Sequence, residues 1–460
     1  MKRWKGGYAL PIRGKPSRER KEVPEADYLY LPLRTRRFNF SALNVGDGDS
    51  VRQGQIMAHD PDNYMLPLIA PRGGIAKLEK ESACIILEQA KKEPDEKITP
   101  ADDIPPAARE KGSNGTKRYL LFRCGAWHYF SDADTGNLPD PFGSTPRAII
   151  VSTFSAEPFL ADPGVVTLNR MNEFARGLEY LHELAENRPI YCILASASSQ
   201  IKEVVKKYAW ITVVEVPYRY PFGNPKLMAQ NLKLNGASSR DPVWAIGAEG
   251  VVAVEHVLTQ SMPWLWRTIS LSGPGVQNPV HASVIPGYPL DTLLKLCEIN
   301  STSTMRIING GVFTGRAMDT RQKGIDVECQ GLTVLPEKSN RDFLGFARFG
   351  IQMNSYSKAF VSAIIPGFRE RATTGIRGEK RPCVSCGFCE EVCAARIMPF
   401  QVYRYVENNR LEEAQRFGLQ LCVGCGLCSY VCLSKIDVCR RLIDAQEIVR
   451  KESSGGTPVK

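Results

Sequence analysis

"CVSCGFCEEVC", Cys383 to Cys393, and "CVGCGLCSYVC", Cys422 to Cys432, repeat one spacing near the end of a 460-residue chain. Each reads Cys-x2-Cys-x2-Cys-x3-Cys, whereas Cys84, Cys124, Cys192, Cys297 and Cys329 are scattered upstream. Two consecutive x2 spacings let one loop present three thiolates to three corners of a cubane, with Gly387 and Gly426 relieving crowding of the backbone at the turn. A zinc site would rather use two Cys-x2-Cys pairs held apart by a strand or helix. The duplication therefore points to two [4Fe–4S] clusters, not to zinc or disulfides. Their ligands are Cys383, Cys386, Cys389, Cys393, Cys422, Cys425, Cys428 and Cys432. Bacterial runs place proline after the fourth cysteine, where Ala394 and Leu433 stand here; the change bears on loop rigidity and not on ligation. The scattered thiols are expected to be buried and structural. Cys439 fits neither run, so a ninth ligand is not expected.

Between the runs, "MPFQVYRYVENNRLEEAQRFGLQL" predicts two short helices broken near Asn408 and Asn409, with Phe400, Tyr403, Leu411, Ala414 and Phe417 turned inward. "KIDVCRRLIDAQEIVRK" adds one more helix, so residues 379–446 form an α-helical two-cluster ferredoxin-like domain, followed by a flexible tail at 447–460. Upstream, 119–245 alternates strand-like runs (Ala148 to Ser152, Ile190 to Ala195, Ile211 to Val216) with helical stretches. The clearest of these carries Phe174, Leu178, Leu181 and Leu184 at three- and four-residue steps. Such alternation predicts a degenerate Rossmann-like α/β domain with a largely parallel sheet. The turn after its first strand, "TFSAEPFLADPG", lacks the glycines that let backbone amides approach a phosphate.

Residues 31–90 contain short β-type runs (Ser50 to Val51, Gln55 to Ala58, Ile75 to Leu78) between Gly-Asp and Pro-Arg-Gly-Gly turns. They resemble the barrel-sandwich fold of biotinyl and lipoyl carrier domains. The expected tip, "DNYMLPL", has no lysine to modify, which implies a scaffold. Residues 91–118, rich in charge, Pro and Gly, read as a linker. Residues 246–330 are similar to the soluble-ligand-binding β-grasp module, with a helix at Leu290 to Leu296, and 331–378 form a β-containing connector. The whole is a multidomain α/β and α+β chain.

The net charge of +10 includes a local basic arm at 1–30, with Lys2, Arg3, Lys5, Arg13, Lys15, Arg18, Arg20 and Lys21. A solvated, flexible end is expected, with contact to anionic lipid or an acidic partner as the alternative. No nucleic-acid motif accompanies the arm. No apolar run is long enough to cross a bilayer, and the basic start lacks the apolar stretch of a secretory signal. A reducing, cytoplasmic setting is therefore expected.

In this order the domains resemble the A subunit of the sodium-translocating NADH:quinone reductase and the C subunit of Rnf electron-transport complexes. "GAWHYF", "TPRAIIVSTFSAEPFLADPGVV", "FARGLEYL", "DFLGF" and "IMPFQVY" are similar to the former, and the cysteine runs to the latter. The resemblance implies a peripheral protein on the inner face of the cytoplasmic membrane, bound to the membrane subunits of such a complex. It would act as part of an NADH:quinone oxidoreductase that translocates sodium or protons. Ubiquinone or menaquinone is implied as a contact without an assignable residue. FMN and NADH are not expected on this chain, because the glycine-rich loop of the Rnf family is absent. In two-cluster ferredoxins the fourth cysteine of each run ligates the other cluster. Carried over, Cys383, Cys386, Cys389 and Cys432 hold one cluster, and Cys422, Cys425, Cys428 and Cys393 the other. The alternatives are a soluble ferredoxin-like oxidoreductase with a separate small-ligand role, and a protein in which the clusters only staple the helical module.

Overall fold

Four sheets and a carboxy-terminal group of helices build the molecule, and the computed structural model describes residues 4–10, 12–94, 96–98, 104–154, 157–195, 199–234, 241–299, 305–319, 321–337 and 380–453. In the amino-terminal unit, Leu29 and Leu31 on the strand Tyr28–Pro32 face Leu87 and Ile85 on the antiparallel strand Cys84–Lys91. All four side chains are buried. Gly73–Glu79 and Ser50–Val51 extend this sheet, and Ala42–Leu43, Ile56–Asp60 and Leu66–Ile69 form a second one. Tyr64 and Met65 stand exposed, with left-handed backbone, at the turn between Ile56–Asp60 and Leu66–Ile69. The short strands read from sequence lie within these sheets. Tyr28–Pro32, Leu66–Ile69 and Cys84–Lys91 escape a sequence reading because two of them are nearly continuous apolar runs without alternation.

Residues expected as a linker instead hold the helices Pro106–Glu110 and Gly112–Arg123. Arg118 is buried there, donating to the carbonyls of Ser144 (2.6 Å) and Leu184 (2.9 Å) and lying over the Trp244 ring. A buried arginine whose terminal nitrogens bond backbone carbonyls looks polar in composition, which is why the segment reads as solvated. The adjoining sheet runs Ile211–Val216, Ile190–Ala195, Ala148–Ser152, Val243–Gly247 in parallel, with Ser131–Asp132 antiparallel at its edge. The helix Met171–Leu184 buries Phe174, Leu178, Leu181 and Leu184 against this unit, as their spacing requires. The helix Ala248–Gln260 follows directly from the last parallel strand and packs on Met171–Leu184, so the α/β unit extends past the expected boundary at 245. No change of composition marks that boundary.

The third unit is a six-stranded mixed sheet in the order Arg20–Glu22, Val280–Val284, Arg267–Ser272, Gly331–Pro336, Met305–Asn309, Arg316–Ala317, with the helix Leu290–Leu296. Two expectations change here. Gly331–Pro336 lies inside this sheet, not in a separate connector. The remainder of the expected connector, including "DFLGF", lies outside the described residues. The basic arm, expected to be free, supplies the edge strand Arg20–Glu22 in parallel pairing with Val280–Val284. Its charges face solvent while its amides complete the sheet, and composition reports only the charges. The last helix, Val438–Ser453, takes in the first residues of the expected tail, whose remainder lies outside the described residues. Among the described residues no helix is long and apolar enough to cross a membrane.

A buried polar junction ties the three upstream units together. Glu328 accepts from the Arg37 side chain (2.5 Å) and backbone amide (2.9 Å), and Arg37 reaches the carbonyls of Phe130 (3.0 Å) and His128 (2.5 Å). Arg267 meets Glu249 at 3.5 Å, His128 Nε2 at 3.1 Å and the Val327 carbonyl. Burial, reinforced by Arg267, pushes His128 down to about 3, leaving a neutral imidazole. Burial opposes the charge on Glu328, yet Arg37 and its hydrogen bonds prevail and hold the carboxyl at about 2. Glu328→Gln should therefore lower the unfolding free energy by about 2 kcal/mol, below the range for fully buried pairs because both side chains keep some exposure. Urea denaturation of the full chain checks it.

Candidate functional site

The second cysteine run retraces the first at a constant offset, Cys383 matching Cys422. Left-handed backbone recurs at Ser385 and Gly424 (φ 53° and 66°), Gly387 and Gly426 (80° and 79°), and Arg396 and Lys435 (58° and 57°). Gly387 and Gly426 each precede a one-turn helix, Phe388–Glu391 or Leu427–Tyr430, and the glycine carbonyl accepts the first hydrogen bonds of that turn. The glycine's permissive φ turns the loop sharply enough to bring the third cysteine back beside the first two. Pro399–Glu407 and Leu411–Arg416 lie between the runs and bury Val402, Tyr403 and Ala414. Phe417, expected inside, is 39 % exposed: it follows the end of Leu411–Arg416, where the helical period no longer holds, and rests on Tyr405 at 5.0 Å.

Seven of the eight motif cysteines, all but Cys386, belong to or pack against the core cluster of this small module. Cys389, Cys422 and Cys428 are buried, Cys383, Cys393, Cys425 and Cys432 partly so, and Cys386 is exposed. Burial pushes Cys389 up to about 11 and Cys422 up to about 12, and it raises Cys393 and Cys425 as well. Against that, backbone amides are directed at the sulfurs: Phe400 and Glu390 at Cys389, Ile397, Ala395 and Arg396 at Cys393, Gly424 at Cys422, and Leu427 at Cys425. Cys383 and Cys386 are charge neighbours of Cys389, whereas Cys393 is a charge neighbour of Cys422 and Cys425. The backbone joins the runs crosswise. Just before Cys383, the Pro382 carbonyl accepts from Ser434 Oγ (2.9 Å), and Arg381 N donates to the Ser434 carbonyl (2.9 Å) just after Cys432. At the other end, Ala394 and Ala395 pack in one apolar cluster with Val423.

Cys439, which matches Phe400 in the first half, stands in hydrogen-bond contact with Cys428 and is a charge neighbour of Cys422 and Cys425. Spacing along the sequence does not reveal this contact. The five scattered cysteines are all buried, as expected. Among the described residues no three ligating side chains converge on one ion. A cubane does not require that, since its four cysteines bind different irons. An all-sulfur donor set, low polarity around the thiols and amides aimed at sulfur are the surroundings that iron–sulfur clusters take.

The module is docked by residues that sequence reasoning does not single out. Tyr220 donates its hydroxyl to the Cys425 carbonyl (2.7 Å) and stacks on Phe313 (4.9 Å, 9°), which meets Tyr430 edge-on. Gln230 donates to the Leu421 carbonyl at 3.2 Å. Gly7 N donates to the Val392 carbonyl (2.9 Å), Tyr8 exchanges backbone hydrogen bonds with Tyr220, and Trp4 packs on Phe222. A Cβ on Gly6 would come within 2.6 Å of the Cys393 carbonyl, so only glycine fits. The aromatic stretch "PYRYPFGNP", Pro217 to Pro225, is the available signal.

A sulfur-rich module of ferredoxin type on a multidomain α/β body defines the class as an iron–sulfur protein of electron transport. Comparison with known families agrees. The NqrA second alpha/beta domain matches residues 115–262, the NQRA C-terminal domain 268–320, and the 4Fe-4S dicluster domain 382–436. The A subunit of the Na(+)-translocating NADH-quinone reductase of Pseudomonas aeruginosa is 28% identical over 90% of this chain and 91% of its own length. That of Rhodopirellula baltica is 27% identical over 91% and 90%. An NAD+-reducing [NiFe]-hydrogenase in the H2-reduced state aligns with a TM-score of 0.41 and 12% identity over 78% of this chain and 69% of that one, too loosely to inform function. The chain is thus similar over most of its length to the A subunits of Na(+)-translocating NADH-quinone reductases, and it matches a 4Fe-4S dicluster domain near its carboxyl end.

The two matched glycines allow a controlled comparison. Gly387→Ala and Gly426→Ala both incur a left-handed penalty of about 1 kcal/mol. A Cβ at Gly387 meets open space, whereas one at Gly426 meets Phe313 Cδ1 at 3.1 Å. Gly426→Ala should thus lower the melting temperature more and speed limited proteolysis between body and module; equal effects would contradict the docking through Phe313.

Proposed function

We propose that this chain is a peripheral electron-transfer subunit of an ion-translocating NADH:quinone reductase or Rnf-like complex, passing electrons through two [4Fe–4S] clusters. Cys383, Cys386, Cys389 and Cys432 would hold one cluster, and Cys422, Cys425, Cys428 and Cys393 the other. The observation that carries this reading is the crossed seam, in which the start of each run meets the end of the other. The proximity of Cys393 to Cys422 and Cys425 supports the same pairing. Bound clusters would supply one-electron chemistry. The chain would supply amide hydrogen bonds to sulfur, a poorly polar setting and fixed spacing.

The activity follows from homology to one component of NADH-quinone reductase along nearly the whole chain. Membrane subunits of such a complex are the proposed partners, at the inner face of the cytoplasmic membrane, with a quinone within reach of the assembly. We read the amino-terminal sheets as a barrel-sandwich unit, the α/β unit as a degenerate Rossmann-like domain, and the six-stranded sheet with its helix as a β-grasp module. The parallel strand order supports the second reading and the mixed sheet the third. FMN and NADH are not proposed as ligands, since Ala148–Ser152 leads into a turn without a glycine-rich cradle.

Anaerobically purified protein should carry about eight irons and eight acid-labile sulfides. Zinc without sulfide would contradict the reading. Cys393→Ala should damage the cluster bound by Cys422, Cys425 and Cys428 and spare the other; an EPR spectrum matching that of Cys383→Ala would overturn the crossed assignment. Isothermal titration should detect no tight binding of FMN or NADH, and micromolar affinity for either would count against the α/β unit as scaffold.

A further inference from the structure

The two halves share a backbone but not their surroundings. The first loop, at Val384 and Cys386, is exposed, whereas the second lies under the α/β unit. The covering element is the helix Pro225–Asn231, capped by Asn224, whose side chain accepts from Leu227 N. Leu227, Met228 and Ala229 on this helix are buried in the cluster that takes in Ala394, Ala395 and Val423. Gln230, near its other end, donates to the Leu421 carbonyl. The helix therefore spans the seam between the end of the first run and the start of the second, where Cys393 and Cys422 lie.

Lys226, in the first turn of this helix, lies one helical turn before Gln230 and so on the face that meets Leu421, and its charged neighbours are Asp134, Cys422 and Arg450. Cys439 places a further sulfur in hydrogen-bond contact with Cys428, at the position that Phe400 fills in the first half. Cys389 and Cys428 each have the two preceding cysteines of their own run as charge neighbours, Cys383 and Cys386 or Cys422 and Cys425, so the halves differ in what lies beyond the runs. An ammonium in a poorly polar setting favours the more negative state of any redox centre beside it, because the attraction is weakly screened. The same rule makes charge and hydrogen bonding at the sulfurs determinants of cluster potential.

We propose that Lys226 is a positioning residue for electrons: its ammonium raises the reduction potential of the cluster held by Cys422, Cys425, Cys428 and Cys393, and of that cluster selectively. The proposal rests on the two-cluster reading above. One protein unit thus biases a symmetric pair, so that an electron entering at the exposed first loop settles beneath the α/β unit. The step is a one-electron transfer between clusters, the first oxidised and the second reduced, with no bond made or broken.

The test is a reductive titration of the full-length protein followed by EPR, in wild type, Lys226→Met and Lys226→Arg, with Cys422→Ser identifying the second cluster's signal. Lys226→Met keeps the apolar stem and removes the charge. It should lower the reduced-to-oxidised ratio of that signal at fixed potential about tenfold, which is about 59 mV for a one-electron couple. The other signal should stay in place, and Lys226→Arg should restore the wild-type value. Two cluster signals that are unmoved in Lys226→Met, or moved together, would overturn the proposal while leaving the two-cluster reading intact. Wild-type protein lacking iron and sulfide would overturn both, and iron analysis tells the cases apart.

Discussion

The crossed seam, Pro382 to Ser434 at one end and Cys393 to Cys422 at the other, is the constraint on which the carboxy-terminal half depends. Sulfurs gathered there sit where burial disfavours thiolate, and each must be neutralised by a proton or by a metal. The amides aimed at them offset part of that cost and do so in any state of the site. On the proposed reading, metal binding would displace the protons and join the two runs, so that cluster assembly and folding of the module are one equilibrium. Without it a module of this size rests on its own core, in which Val402, Leu419, Leu427 and Leu442 are among the most deeply buried of a larger set, and small cores carry little stability alone.

Upstream, the ionic junction imposes a different discipline. Buried ion pairs seldom add net stability over apolar packing, but removing one partner strands the other. Arg37, His128, Arg267 and Glu328 come from three separate units, so their hydrogen bonds fix how those units meet. The arm extends the same logic along the chain, pairing with the six-stranded sheet at Arg20–Glu22 and reaching the cysteine module at Gly6 and Gly7. Electron transfer needs donors and acceptors held at set positions, and such a body provides a rigid mount.

What can be read from sequence follows from which signals are local. The Cys-x2-Cys-x2-Cys-x3-Cys spacing, the stripe Phe174, Leu178, Leu181 and Leu184, and the parallel strands are each written within a few turns of chain, and each is legible. The role of the arm is hidden because its packing is carried by backbone and by Trp4 and Tyr8, while its composition advertises charge. Arg118 misleads in the same way. Cys439 is passed over on spacing, although the match to Phe400 across the repeat places it against Cys428. Tyr220, Phe313 and Lys226 come together only through tertiary structure, from segments far apart in the chain.

Equal backbones at Gly387 and Gly426 mean that the halves are distinguished by side chains, such as Cys439 in place of Phe400, and by what packs on them. The α/β unit bonds to the second run: Tyr220 donates to the Cys425 carbonyl and Gln230 to the Leu421 carbonyl, with Lys226 among the charged neighbours of Cys422. A symmetric module gives no preferred direction to an electron, because identical surroundings give identical potentials. Docking bonds the second run to the α/β unit and the end of the first run to the amino-terminal arm, so the two halves meet different surroundings.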